Sequence, residues 1–111
     1  MTATFIQDGC NIDYTPGSEV AAGQVVVQAD LVGIAPHIIP ANTKGALCVC
    51  GVHQFPKGAS DGGMAVGTLA YWDAGDGVAK ANAEAGANKL IGKVVETAST
   101  SAVVVKIRLQ Q

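Results

Sequence analysis

Residues 23–35 read GQVVVQADLVGIA, and the two apolar runs inside this stretch decide the fold class. Residues 24–28 (QVVVQ) and 31–35 (LVGIA) are short and rich in branched side chains, which crowd a helix and suit a pleated strand. Ala29 and Asp30 between them predict a tight corner. The same grammar recurs in both directions. The last such run, AVVVKIRL at 102–109, sets Lys106 and Arg108 on the face opposite Val105 and Ile107, which is the alternation of a half-buried strand.

Working outward, the sequence predicts strands at 2–7, 10–14, 46–52, 66–72, 78–82 and 90–96. The turn signals Asp8-Gly9, TPGS (15–18), ANTKG (41–45) and DAGDG (73–77) separate them. The first pair is expected to form a hairpin through Asp8-Gly9. Pro36 and Pro40 bracket His37, Ile38 and Ile39, so this piece reads as an edge strand or an extended connection. The run 46–52 is expected to continue toward Phe55. GASDGG (58–63) reads as an exposed loop. Residues 79–88, rich in Ala but without an apolar stripe, are the one helical candidate of any length. A single turn near 18–22 is a further option. The fold class that follows is all-β, with about eight to ten short strands and little helix. It is a small sandwich or jelly roll, or a barrel, in one domain spanning 1–111. Residues 1–9 have a second reading as an extended N-terminal arm.

Composition narrows the function. The 111 residues carry 7 Lys and Arg against 9 Asp and Glu, a net charge of −2, and the cations are scattered. That is not the basic footprint of a nucleic-acid binder. Charged residues make up 14% of the chain, well below the roughly 25% of an average protein, so part of the surface is expected to be covered by a partner. The start of the chain lacks a basic leader, and no apolar run approaches the roughly 18 residues of a membrane span. A soluble protein made in a cytoplasm is expected. Three cysteines, Cys10, Cys48 and Cys50, are read as reduced, partly buried thiols.

Motifs for chemistry fail one at a time. ANKLIGKV (87–94) approximates a phosphate loop, but Val94 stands where a hydroxyl must hold magnesium, and a strand follows where a helix is needed. Cys48, Cys50 and His53 form C-x-C-x2-H, but alternation puts His53 on the other face, so two core thiols and a surface histidine are the preferred reading. No G-x-S-x-G elbow surrounds Ser18, Ser60, Ser99 or Ser101. Asp61, Asp73 and Asp76 read as turn residues. No catalytic, cofactor-binding or metal-ligating residue is assigned, and no enzyme is expected.

The ordered segments FIQDG (5–9), IDYTP (12–16), VAAGQVVV (20–27), LVGIA (31–35), KGALCVCGV (44–52), FPK (55–57), YWD (71–73), LIGKV (90–94) and VKIRL (105–109) together carry a resemblance. The chain resembles the small phage capsid cement or decoration proteins, members of which have been labelled RecA/RadA-like recombinases. The recombinase label does not fit these residues, since such an ATPase needs a phosphate loop, a large α/β core and basic DNA loops. The resemblance implies a β-rich fold, self-association as a homodimer or homotrimer, and binding to the major capsid protein on the outside of an icosahedral head. It implies no catalytic residues, and no direct nucleic acid, membrane or cofactor is expected. The expected location is the virion exterior, after synthesis in the host cytoplasm. Candidate contacts with shell or neighbour are Phe5, Ile6, Pro36, His37, Ile38, Lys57 and Trp72, although Trp72 reads first as a core anchor. The competing readings are a tail, baseplate or ligand-binding β module and, further off, a recombination accessory.

Overall fold

The computed structural model describes residues 1–7, 9–59 and 62–110. In chain order the strands are β1 (Asn11–Tyr14), β2 (Val25–Gln28), β3 (Leu31–Ile34), β4 (Gly45–Cys48), β5 (Val52–Pro56), β6 (Leu69–Asp73), β7 (Val78–Lys80), β8 (Lys89–Glu96) and β9 (Val104–Leu109). They form two antiparallel sheets, ordered β1-β4-β3-β2 and β5-β9-β8-β6-β7, in a sandwich-like arrangement. The all-β reading therefore holds, and a sandwich is the form it takes.

The stretch 23–35 is the β2–β3 hairpin, and its corner at Ala29 takes a φ of 53°. Alternation along β3 sends Val32 and Ile34 into the main core. There they meet Phe55 of β5, Ile91 of β8 and Ile107 of β9, side chains each worth about 1.5–3 kcal/mol when fully buried. The other face of β3 is Gly33, and a Cβ there would lie 3.0 Å from that of Leu47. Leu47 belongs to a second, smaller cluster with Val20, Val26, Ala35 and Ile39. The lid of this cluster is an isolated bridge in which Val20 and Ile39 exchange two backbone hydrogen bonds of 2.9 Å. At β3 the four-stranded sheet is thus covered on both faces, by the other sheet and by its own connections, while β1 and β2 keep exposed residues. The five-stranded sheet keeps one face in solvent, where Val104, Lys106 and Arg108 alternate with buried Val105, Ile107 and Leu109.

Several sequence expectations are corrected. Residues 2–7 form no strand and are exposed, and β1 pairs with β4 instead of with them. Asp8 of the expected turn, and Ser60 and Asp61 of the 58–63 loop, lie outside the described residues. The run 46–52 is two strands in different sheets, broken at Gly51, whose φ is 91°. Residues 79–88 begin in β7 and curl only into a 3-10 turn at Glu84–Gly86. That turn is built on Asn82, whose Oδ1 accepts from the Glu84 N–H (2.7 Å) and whose carbonyl accepts from Asn88 Nδ2 (2.8 Å). Residues 18–22 hold the Val20 bridge, not a helical turn.

The cysteines are corrected as well. Cys10 and Cys50 form a disulfide with a Cα–Cα distance of 5.0 Å, and Cys48 alone is free. The bridge ties the root of β1 to the crossover between the sheets, where Val49 also donates its N–H to the Cys10 carbonyl (2.9 Å).

Candidate functional site

The candidate contact residues fall in three separate parts of the fold. Phe5 and Ile6 lie in the segment before β1 and are 79% and 81% exposed. The segment is held at its base, where Gln7 Nε2 donates to the Asn11 carbonyl (3.1 Å) and Cys10 is bonded to Cys50. Large apolar side chains held this far into water carry an unfavourable hydration that burial against a partner relieves. Pro36, His37 and Ile38 lie in the connection from β3 to β4. All three are exposed, Ile38 to 60%, while the next residue, Ile39, drops into the second core. One turn of extended chain thus points one isoleucine inward and its neighbour outward.

The remaining two residues are not on the surface in the same sense. Trp72 is half-buried against the main core, with its ring centroid 6.1 Å from that of Phe55. Lys57 is 3% exposed. Its Nζ donates to the carbonyls of Gly58 (3.0 Å), Thr100 (3.1 Å) and Ala102 (3.3 Å), and its own N–H donates to Val103 (2.9 Å). The side chain is spent inside the chain, where it clamps the β8–β9 connection to the end of β5. Lysine is ordinarily an exposed residue, so nothing in its neighbours FPK signalled this.

Polar groups elsewhere serve the fold. Asp73 caps its own hairpin: Oδ1 accepts from the N–H groups of Gly75 (3.0 Å) and Asp76 (3.1 Å), the Asx-type turn expected of it. Lys80 sits 2.9 Å from Asp73, 2.7 Å from Asp76 and 3.9 Å from Glu84. The Lys80 hydrogen bond, seconded by the Asp76 N–H, holds the Asp73 carboxyl below its usual range. Asp76 and Asp73 in turn push the Lys80 ammonium up. Residues 89–94 of the near phosphate loop lie in β8, so a strand follows Lys93 and no helix N-terminus faces it. Cys50 is committed to Cys10, and His53, read as a surface residue, is half-buried with Nδ1 buried and unpartnered. Among the described residues, no three His, Cys, Asp or Glu side chains stand together as a metal site.

One surface was not visible before the register was known. Across the solvent face of the five-stranded sheet, Leu69 of β6 lies opposite Lys93 of β8, Lys93 opposite Arg108 of β9, and Arg108 opposite Val52 of β5. All four are exposed, Leu69 to 44% and Val52 to 55%. Alternation in VKIRL was legible, but nothing short of strand pairing shows that the two cations lie opposite one another.

A family model described as phage cement protein matches residues 6–109. Neither the curated proteins nor the solved structures gave a match.

Proposed function

The chain belongs to the phage cement protein family, and on that premise we propose that it binds the outer surface of an icosahedral head and stabilises the mature shell. Membership supports a phage structural, capsid-stabilising role and association with the shell as a virion component. The finer reading adds the major capsid protein as the direct partner, a homodimer or homotrimer as the binding unit, and no reaction to catalyse. A protein that binds the expanded shell and not its precursor stabilises the expanded form by mass action. Many symmetry-related copies raise a modest single affinity to a durable one.

The observation that carries this reading is the segment before β1. It is strand-like in sequence, pairs with no strand among the described residues, and exposes Phe5 and Ile6. An extended segment of this kind can add a strand to a sheet edge of a capsid subunit, with backbone hydrogen bonds giving affinity and alternate side chains giving specificity. Pro36, His37 and Ile38 supply a second contact, to shell or neighbouring copy.

Replacing both Phe5 and Ile6 by alanine is expected to weaken binding to heads by at least about tenfold, the loss of one well-buried apolar contact. The thermal midpoint should be unchanged, because neither side chain belongs to a core cluster. Sedimentation with heads reads the first quantity and circular dichroism the second. A double variant that unfolds, or one that binds as the wild type does, contradicts the assignment.

A further inference from the structure

The seven cationic side chains are not equivalent. Lys44 pairs with Asp13 (3.2 Å), Lys80 with Asp73 and Asp76, Lys89 with Asp30 (2.9 Å) and Lys106 with Glu96 (3.1 Å). Lys57 is satisfied by three carbonyls. Lys93 and Arg108 have no ion pair or hydrogen bond from their side chains among the described residues. They are cross-strand partners in register, on the solvent face of the sheet. Like charges directly opposite one another destabilise a strand pair. Six carboxylates pair with other lysines, and among the described residues none is placed against this pair. The pair is flanked in the same row by exposed Leu69 and Val52, with Val104 (43% exposed) further along β9. The row therefore combines an unrelieved repulsion with apolar surface.

We propose that the Leu69–Lys93–Arg108–Val52 row is a docking surface for a carboxylate-bearing protein face, which in the capsid reading above is the outer face of the shell. An Asp or Glu entering between Lys93 and Arg108 turns the repulsion into a charge-assisted contact, for which arginine offers a planar fork of donors. Leu69 and Val52 flank the pair and offer apolar surface that the same partner face would bury. Two cations are too few for a polyanion, whose binding grows with the number of phosphates neutralised, so a protein fits the chemistry better than nucleic acid. The inference rests on the capsid reading and adds to it the surface used and the charge of what it meets.

The test uses the whole chain and mature heads prepared without it, at low and high salt. Lys93→Glu is expected to raise the thermal midpoint by about 2–5 °C, because it replaces a like pair with an opposite one. The same change is expected to weaken head binding at least tenfold and to flatten its salt dependence. Lys93→Gln should lie between the two, and it serves if the glutamate variant does not fold. Lys44→Glu, the same change of net charge elsewhere on the surface, should alter binding less than twofold. Head binding by Lys93→Glu equal to that of the wild type overturns the inference alone. So does an equal loss with Lys44→Glu, which is a net-charge effect. A changed oligomeric state with head affinity retained also overturns it and gives the row to a second copy. Failure of the wild type itself to bind heads overturns the capsid reading and this inference with it.

Discussion

Gly92→Ala is expected to abolish the cooperative folding of the domain. Gly92 sits in the middle of β8, opposite Ala70 on one side and Leu109 on the other. A Cβ there would overlap the Arg108 carbonyl oxygen and lie 2.7 Å from the backbone nitrogen of Gln110. These are backbone atoms, so no side chain can swing away to make room. Nor can β9 readily step aside. The Leu109 N–H donates to the Gly51 carbonyl (2.9 Å) and the Gln110 N–H to that of Ile91 (3.0 Å). Glycine inside a strand commonly marks such a close backbone approach. Forcing β8 and β9 apart opens the seam on which Ile91, Ile107 and Leu109 pack. The cost is expected to exceed about 4 kcal/mol, in the range reserved for a named structural failure. Total stabilities run only about 5–15 kcal/mol, so little or none remains. Urea denaturation followed by circular dichroism checks this. A Gly92→Ala transition at the wild-type midpoint contradicts it.

Lys57→Met carries the second large effect. Methionine keeps most of the buried stem and removes the one group that the carbonyls of Gly58, Thr100 and Ala102 share. A polar group that loses its buried partner costs about 1–3 kcal/mol, and the connections near these carbonyls recover part of it from water. A net loss of about 3 kcal/mol follows, seen as a thermal midpoint lower by about 10 °C. Lys57→Arg should fail to restore it, because the wider guanidinium does not match a site shaped for a compact ammonium. The same experiment separates the two roles of Lys57. Were it a capsid contact, Lys57→Met would lose head binding at unchanged stability. The clamp described above predicts lower stability, with binding lost only as folding is lost.

The strands most legible in sequence were those with one wet and one dry face. VKIRL and LIGKV alternate because β8 and β9 separate the core from solvent. Residues 24–35 carry two cores at once, yet the corner at Ala29 and Asp30 still marked the hairpin. Legibility failed where apolarity persisted through a change of sheet. ALCVCGV reads as one strand because its apolar run passes from Leu47 of the second core to Val52 at the start of β5 with only Gly51 to mark the change of sheet. It failed again at residues 2–7, whose strand-like pattern has no strand partner among the described residues. Pairing is a tertiary fact, and so is the Cys10–Cys50 bridge across 40 positions, which no spacing rule for cysteines anticipates.

The candidate site divides along the same line. Exposure of Phe5 and Ile6 followed only from the second reading of residues 1–9 as an arm, and that of Ile38 from its place between Pro36 and Pro40. Burial of Lys57 was not readable, since it depends on three carbonyls from distant positions. The Lys93–Arg108 pairing needed the register of β8 against β9, which a bulge between Val94 and Glu96 shifts within a few residues. Arg108 was visible as an outward-facing cation, and only the sheet set Lys93 opposite it.

Counting the copies bound to mature heads that lack the protein decides whether this chain cements the shell. Purified protein is mixed with intact heads, the heads are sedimented, and bound copies per head are measured against added protein. The cement reading predicts saturable binding, with a copy number set by the symmetry axes of the shell. Folded protein that stays in the supernatant at every concentration, with the heads intact, contradicts it.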